Sequence, residues 1–118
     1  MSTPSKRKGD RFEREIADYL RSIGIMVDRT RVGWTDDRGD IHGIPNVVLE
    51  CKNHKTLDLS GWVAELAHEM DNAGARMGCV VHKRRGTTDA DKHYATLPFG
   101  LFIQLLREAG YAKPSNPE

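Results

Sequence analysis

At 118 residues the chain is long enough for one domain with a real core, and it has too little sequence for two. Its 18 Lys and Arg against 17 Asp and Glu leave a net charge of +1, yet the cations cluster at Lys6-Arg7-Lys8 and Lys83-Arg84-Arg85, so near-neutrality does not exclude a polyanionic partner. Cys51 and Cys79 lie in apolar runs and exclude a disulfide framework or a zinc cluster; with no signal peptide and no membrane-spanning apolar run, the expected compartment is the cytoplasm of the cell that makes or hosts the chain.

In chain order, residues 1–8 are polar and basic and are expected to stay loose until a partner orders them. From Asp10 to Gly24, Phe12, Ile16, Tyr19, Leu20 and Ile23 recur at helical spacing, with Gly24 as the stop. Glu13 sits on the flank of that apolar face. It is either a first-turn acid favoured by the helix dipole or an acidic group aimed at a site. Residues 25–30 read as a strand and 31–39 as a polar, glycine-containing loop with Trp34, Asp36 and Asp37.

The stretch Asp40 to Lys52 places charges inside an apolar run. Val47-Val48-Leu49 reads as a buried strand, so Val48, Glu50 and Lys52 share one face and Val47, Leu49 and Cys51 the other. A turn can bring Asp40 back beside Glu50. Two carboxylates converging next to a lysine suit a hard divalent cation such as Mg²⁺, which keeps waters and phosphate oxygens as further ligands. Phosphodiester hydrolysis is the matching chemistry; a plain ion pair at a strand end is the structural alternative. Asp36 and Asp37 compete with Asp40 as ligands but sit in the loop, and His42 reads as a hydrogen-bonded spectator.

After a polar connection, Trp62, Val63, Leu66, Ala67, Met70 and Ala73 define a second helix ending near Gly74, with Ser60 as candidate N-cap. On it Glu65 is at best peripheral to the metal, and Glu69 is expected to be solvated. Residues 77–82 form another buried strand that delivers Lys83-Arg84-Arg85 at its exit, a phosphate clamp or a solvated hairpin end. A short strand around 93–96 precedes a last helix, with Pro98 in its first turn and Leu101, Phe102, Leu105, Leu106 and Ala109 on one face. Residues 9–112 then make one α/β domain, a mixed sheet with helices against its faces, and 113–118 a frayed tail.

Lys8-Gly9-Asp10-Arg11-Phe12-Glu13-Arg14, then Gly39-Asp40, then Val47-Val48-Leu49-Glu50-Cys51-Lys52 resemble the PD-(D/E)xK nuclease superfamily, and within it archaeal-type Holliday-junction resolvases and their phage relatives, over residues 6 to 85. Gly39 stands where the motif has proline, and the gap from Asp40 to Glu50 is shorter than in the archaeal enzymes. Pro45-Asn46 is rejected as the motif because asparagine is a poorer Mg²⁺ ligand and lies too close to Glu50. The resemblance implies a restriction-endonuclease-like α/β/α core and a Mg²⁺-dependent endodeoxyribonuclease, with Mn²⁺ as substitute. It implies a homodimer that resolves branched DNA in recombination and repair. Glu13, Asp40, Glu50 and the Cys51 backbone carbonyl would hold metal, and Lys52 would be the catalytic lysine. Lys6, Arg7, Lys8, Arg11, Lys83, Arg84 and Arg85 would bind DNA phosphates. A flap or end-directed nuclease, or a DNA-binding protein on the same fold without chemistry, are the alternatives.

Overall fold

The computed structural model describes residues 3–30 and 39–113. Helix α1 (Pro4–Ser22) leads into short strands β1 (Asp28–Arg29) and β2 (Ile41–His42), then β3 (Val47–Lys52), helix α2 (Leu59–Ala73), β4 (Met77–His82), a 3₁₀ turn (Ala90–Lys92), β5 (Tyr94–Thr96) and helix α3 (Phe99–Glu108). The five strands form one sheet in sequence order, with β3 and β4 parallel and the other neighbouring pairs antiparallel. The chain is therefore α/β with a mixed sheet flanked by helices, as the pattern predicts.

Alternation along β3 decides what covers each face. Val48, with Val80 of β4, packs against Trp62 and Leu66 of α2. On the opposite face Cys51 and Ile41 pack with Phe12, Ile16 and Ala17 of α1, flanked by Leu49 and Val81. Ile41, Val48, Leu66 and Val80 are almost fully buried, each contributing on the order of 1.5–3 kcal/mol. Because α2 is the crossover between two parallel strands, the exits of β3 and β4 lie side by side: Lys52 is in register with His82, and the Lys83 N–H donates to the Lys52 carbonyl at 3.1 Å.

Several local boundaries differ from the sequence expectation, each for a visible reason. Helix α1 starts at Pro4 rather than Asp10, because the Thr3 side chain caps it by accepting from the Lys6 N–H at 3.1 Å and proline suits the first helical position. Lys6, Arg7 and Lys8 are therefore held on a helix. Ile23 is exposed at its C-terminal end instead of buried on its face. The strand expected over 25–30 shortens to Asp28–Arg29, leaving Met26 exposed. Asp58, not Ser60, caps α2, accepting from the Gly61 N–H. None of the residues of α3 is buried, and Phe102 and Leu105 of its apolar face are exposed. Trp34, Asp36, Asp37 and most of the expected tail lie outside the described residues. No helix among the described residues is long and apolar enough to cross a membrane.

The packing of α2 on the sheet depends on Gly78, where a Cβ would come within 2.8 Å of the Val48 carbonyl oxygen and 3.1 Å of Leu66 Cδ1. At Gly100 in α3 a Cβ would meet nothing within 4 Å. Gly78→Ala should thus cost about 1–3 kcal/mol, while Gly100→Ala should be neutral or stabilising by up to about 1 kcal/mol. Urea unfolding of the two variants checks both signs.

Candidate functional site

Strand β3 carries Glu50 and Lys52 on its α2-facing side, and the chain returns Asp40 to them through three hydrogen bonds. The Asp40 N–H donates to the Leu49 carbonyl (2.9 Å), its carbonyl accepts from the Thr30 N–H (2.9 Å), and its Oδ2 accepts from the Cys51 N–H (2.8 Å). Gly39 makes this return possible. Its φ of 95° is one that side-chain-bearing residues rarely adopt, and a Cβ there would lie 2.7 Å from Val48 Cγ1. The rejected Pro45-Asn46 pair serves the turn instead: Asn46 has φ 64°, and its carbonyl accepts from the Arg76 and Met77 N–H groups.

Glu13, Asp40, Glu50, Cys51 and Lys52 line one open cleft of about 360 Å³, together with Lys6 and Lys8 of α1 and with Asn53, His54 and Lys55 just past β3. Glu13 reaches it from the other side of the sheet, where its Oε1 accepts from Arg29 at 3.1 Å; the same guanidinium lies 3.4 Å from Asp10. Lys52 Nζ stands 2.9 Å from Glu65 Oε1 and 3.5 Å from Glu50 Oε2. Glu65 and Glu69 of α2 therefore close the wall behind Glu50, and carboxylate oxygens of Glu50, Glu65 and Glu69 lie within 4.8 Å of one another.

The charges are placed uphill. Burial, then the Asp40 and Glu69 charges, push the Glu50 carboxyl far above its ordinary range. Burial and Asp40 also raise Glu13, with Arg29 opposing. For Lys52 burial works against the ammonium, but the Glu65 hydrogen bond and the Glu50 charge outweigh it and hold its pKa above the usual value. Glu65 is itself lowered, its desolvation outweighed by the hydrogen bond from Lys52. Glu50 Oε1 is buried without a hydrogen-bond partner. Among the described residues the carboxylates whose oxygens come close enough to share a hard cation such as Mg²⁺ or Mn²⁺ are Glu50, Glu65 and Glu69, while Glu13 and Asp40 line the same cleft as Glu50 without joining that group.

Beside this cleft lies a larger, basic one of about 680 Å³, lined by Lys8, Arg11 and Arg14 of α1, by Lys83 and Arg85 past β4, and by Phe12, Glu15, Asp18 and Asn53. Lys8 and Asn53 belong to both clefts. Lys83 also stands 5.7 Å above the Phe12 ring. Arg7 is exposed on α1 and lines neither cleft, nor does exposed Arg84. His42 is not at the site; its Nε2 is 2.8 Å from Thr30 Oγ1. Asp36 and Asp37 lie outside the described residues.

Sequence reasoning misplaced Glu69, which is fully buried rather than solvated. The signal was present, since Trp62, Leu66 and Glu69 follow at i, i+4 and i+7, the stripe that faces the sheet. Glu65, three residues after Trp62, pairs with Lys52 and stands with Glu50 and Glu69 in one carboxylate cluster. Arg29, Asn53 and Lys55 belong to no motif that would mark them, whereas Arg14 ends the Lys8 to Arg14 stretch without being singled out as a phosphate contact. Compared with protein-family models, curated proteins and solved structures, the chain matches none.

Because Glu13 and Glu50 bind protons more tightly folded than unfolded, the native chain holds more protons above the ordinary carboxylate value of 4.5, and their contribution to stability falls as pH rises. His82, whose pKa burial lowers, gives the opposite trend around its ordinary 6.5. The readout is therefore the difference between parent and Glu50→Gln in EDTA. The variant should gain on the parent steadily from pH 5 to pH 8, reaching about 1–3 kcal/mol, in thermal melts taken across that range.

Proposed function

We propose that the chain is a divalent-metal-dependent, structure-selective DNA endonuclease that hydrolyses phosphodiester bonds of branched DNA, in the manner of a Holliday-junction resolvase. The observation that carries this reading is the shared cleft of Glu13, Asp40, Glu50 and Lys52 opening beside a basic groove. A structural ion pair at the end of β3 would need only Lys52 and one acid. Structural roles exist for Glu13, through its Arg29 ion pair, and for Asp40, through the Cys51 N–H, but they give no reason for the unmet Glu50 oxygen or for gathering these acids in one cleft.

In this reading Glu13, Asp40, Glu50 and the Cys51 carbonyl hold Mg²⁺ or Mn²⁺, which supplies Lewis acidity toward the phosphoryl oxygen and a lowered pKa for water. The Cys51 N–H keeps Asp40 turned toward Glu50 by holding one of its oxygens. Lys52 is fixed as an ammonium by Glu65 and Glu50, so it acts as a hydrogen-bond donor to a phosphoryl oxygen or to the attacking water, and not as a base. Water adds to phosphorus, the P–O bond to the leaving sugar oxygen breaks, and that oxygen takes up a proton. Lys6 and Lys8 at the cleft, with Arg11, Lys83 and Arg85 in the groove, neutralise backbone phosphates, which makes binding salt-dependent and little dependent on sequence.

Resemblance to junction resolvases supports branched DNA as the substrate, and a homodimer would set two such clefts on paired strands. The test offers labelled four-way junction, flap, single-stranded and duplex DNA to purified protein with Mg²⁺ or EDTA. The expected result is Mg²⁺-dependent conversion of the junction into nicked duplexes, with Glu50→Ala and Lys52→Ala reduced by at least about 10²-fold. Cleavage of flaps or ends but not junctions would favour the end-directed alternative. Variants that cut as well as the parent would contradict the assignment.

A further inference from the structure

The basic groove contains an acid that phosphate binding does not explain. Glu15 lies among Lys8, Arg11, Arg14, Lys83 and Arg85, where a negative charge opposes a polyanion. Its neighbours give a reason for it. Glu15 Oε2 is 2.5 Å from Nε2 of His93, whose side chain is 1% exposed, and Glu15 Oε1 is 3.7 Å from Lys83 Nζ. The other ring nitrogen, Nδ1, accepts the Arg84 backbone N–H at 3.1 Å. With Nδ1 accepting, the imidazole proton sits on Nε2 and donates to Glu15. The ring also meets Phe12 edge-on, with centroids 5.0 Å apart.

Helix α1, which carries Glu13, Arg11 and Arg14, is thus tied through Glu15 and a buried imidazole to the backbone of the segment that carries Lys83, Arg84 and Arg85. That segment is tied at its other side to the sheet, through the Lys83 N–H on the Lys52 carbonyl. We propose that Glu15 and His93 are positioning residues: they latch the cationic segment after β4 at a fixed place on α1, so that its side chains meet backbone phosphates in register with the cleft of Glu13, Asp40 and Glu50. This inference rests on the nuclease reading above and adds to it the device that aligns phosphate binding with the site.

The latch and the charge of Glu15 can be separated. Glu15→Gln removes the charge but keeps an oxygen to accept from His93, whereas Glu15→Ala removes both and suits a helix. Binding of fluorescently labelled four-way junction is measured by anisotropy in Ca²⁺ across 50–200 mM KCl for the parent, Glu15→Gln, Glu15→Ala and His93→Ala. Glu15→Gln should bind as tightly as the parent or tighter, with the parent's salt slope. Glu15→Ala should bind at least about 5-fold more weakly than Glu15→Gln, with a log–log slope shallower by about one for every phosphate that the protein no longer neutralises, and His93→Ala should match it. Under cleavage conditions the loss should fall on KM more than on kcat. Equal affinity and equal slope for Glu15→Ala and Glu15→Gln would overturn the latch while leaving the nuclease reading standing. A parent that binds no DNA would remove both.

Discussion

The hydrogen bond from the Cys51 amide to the Asp40 carboxylate is the constraint on which the site depends. Carboxylates brought together in a partly buried cleft repel one another, and each loses hydration. Asp40 stays because the β3 backbone offers it a donor that carries no side-chain entropy cost and cannot move away without opening the sheet. Gly39 completes the constraint from the sequence side, since a larger residue there would strike Val48 before Asp40 could reach Cys51. Proline would not fit this backbone, whose φ of 95° lies far from proline's fixed value.

From that point the architecture follows. Two parallel strands joined by α2 bring the exits of β3 and β4 together, so Lys52 and a cationic segment become neighbours through the backbone of the sheet. Helix α1 then serves both clefts: Glu13 faces the acidic one, Arg11 and Arg14 face the basic one, and Lys8 stands at the boundary. Helix α2 supplies Glu65 to fix Lys52 and Glu69 to raise the field around Glu50. Both helices thus give an apolar stripe to the core and charged groups to the same end of the sheet.

What the sequence disclosed depended on whether period and chemistry agreed. The face shared by Val48, Glu50 and Lys52 could be read directly, because a strand of period two leaves no other choice. The β4 strand and its cationic exit were equally plain. The start of α1 was not, because a basic, proline-containing segment reads as loose, although Thr3-Pro4 is a cap followed by a first-turn proline. Glu69 reads as solvated by its charge, but its place on the Trp62 and Leu66 stripe buries it beside Glu50. Arg29 and Glu15 were invisible because their partners lie 16 and 78 residues away in the chain.

The proposed cation site of Glu13, Asp40 and Glu50 takes its shape from the Cys51 amide. Calorimetric titration of Mn²⁺ into the protein at pH 7, repeated in buffers of different ionisation enthalpy, measures the affinity together with the protons released. Tight binding at that site should expel protons from the raised carboxyls, and Asp40→Asn should weaken it by at least about tenfold. Binding without proton release, or binding indifferent to Asp40→Asn and Glu50→Gln, would contradict the assignment.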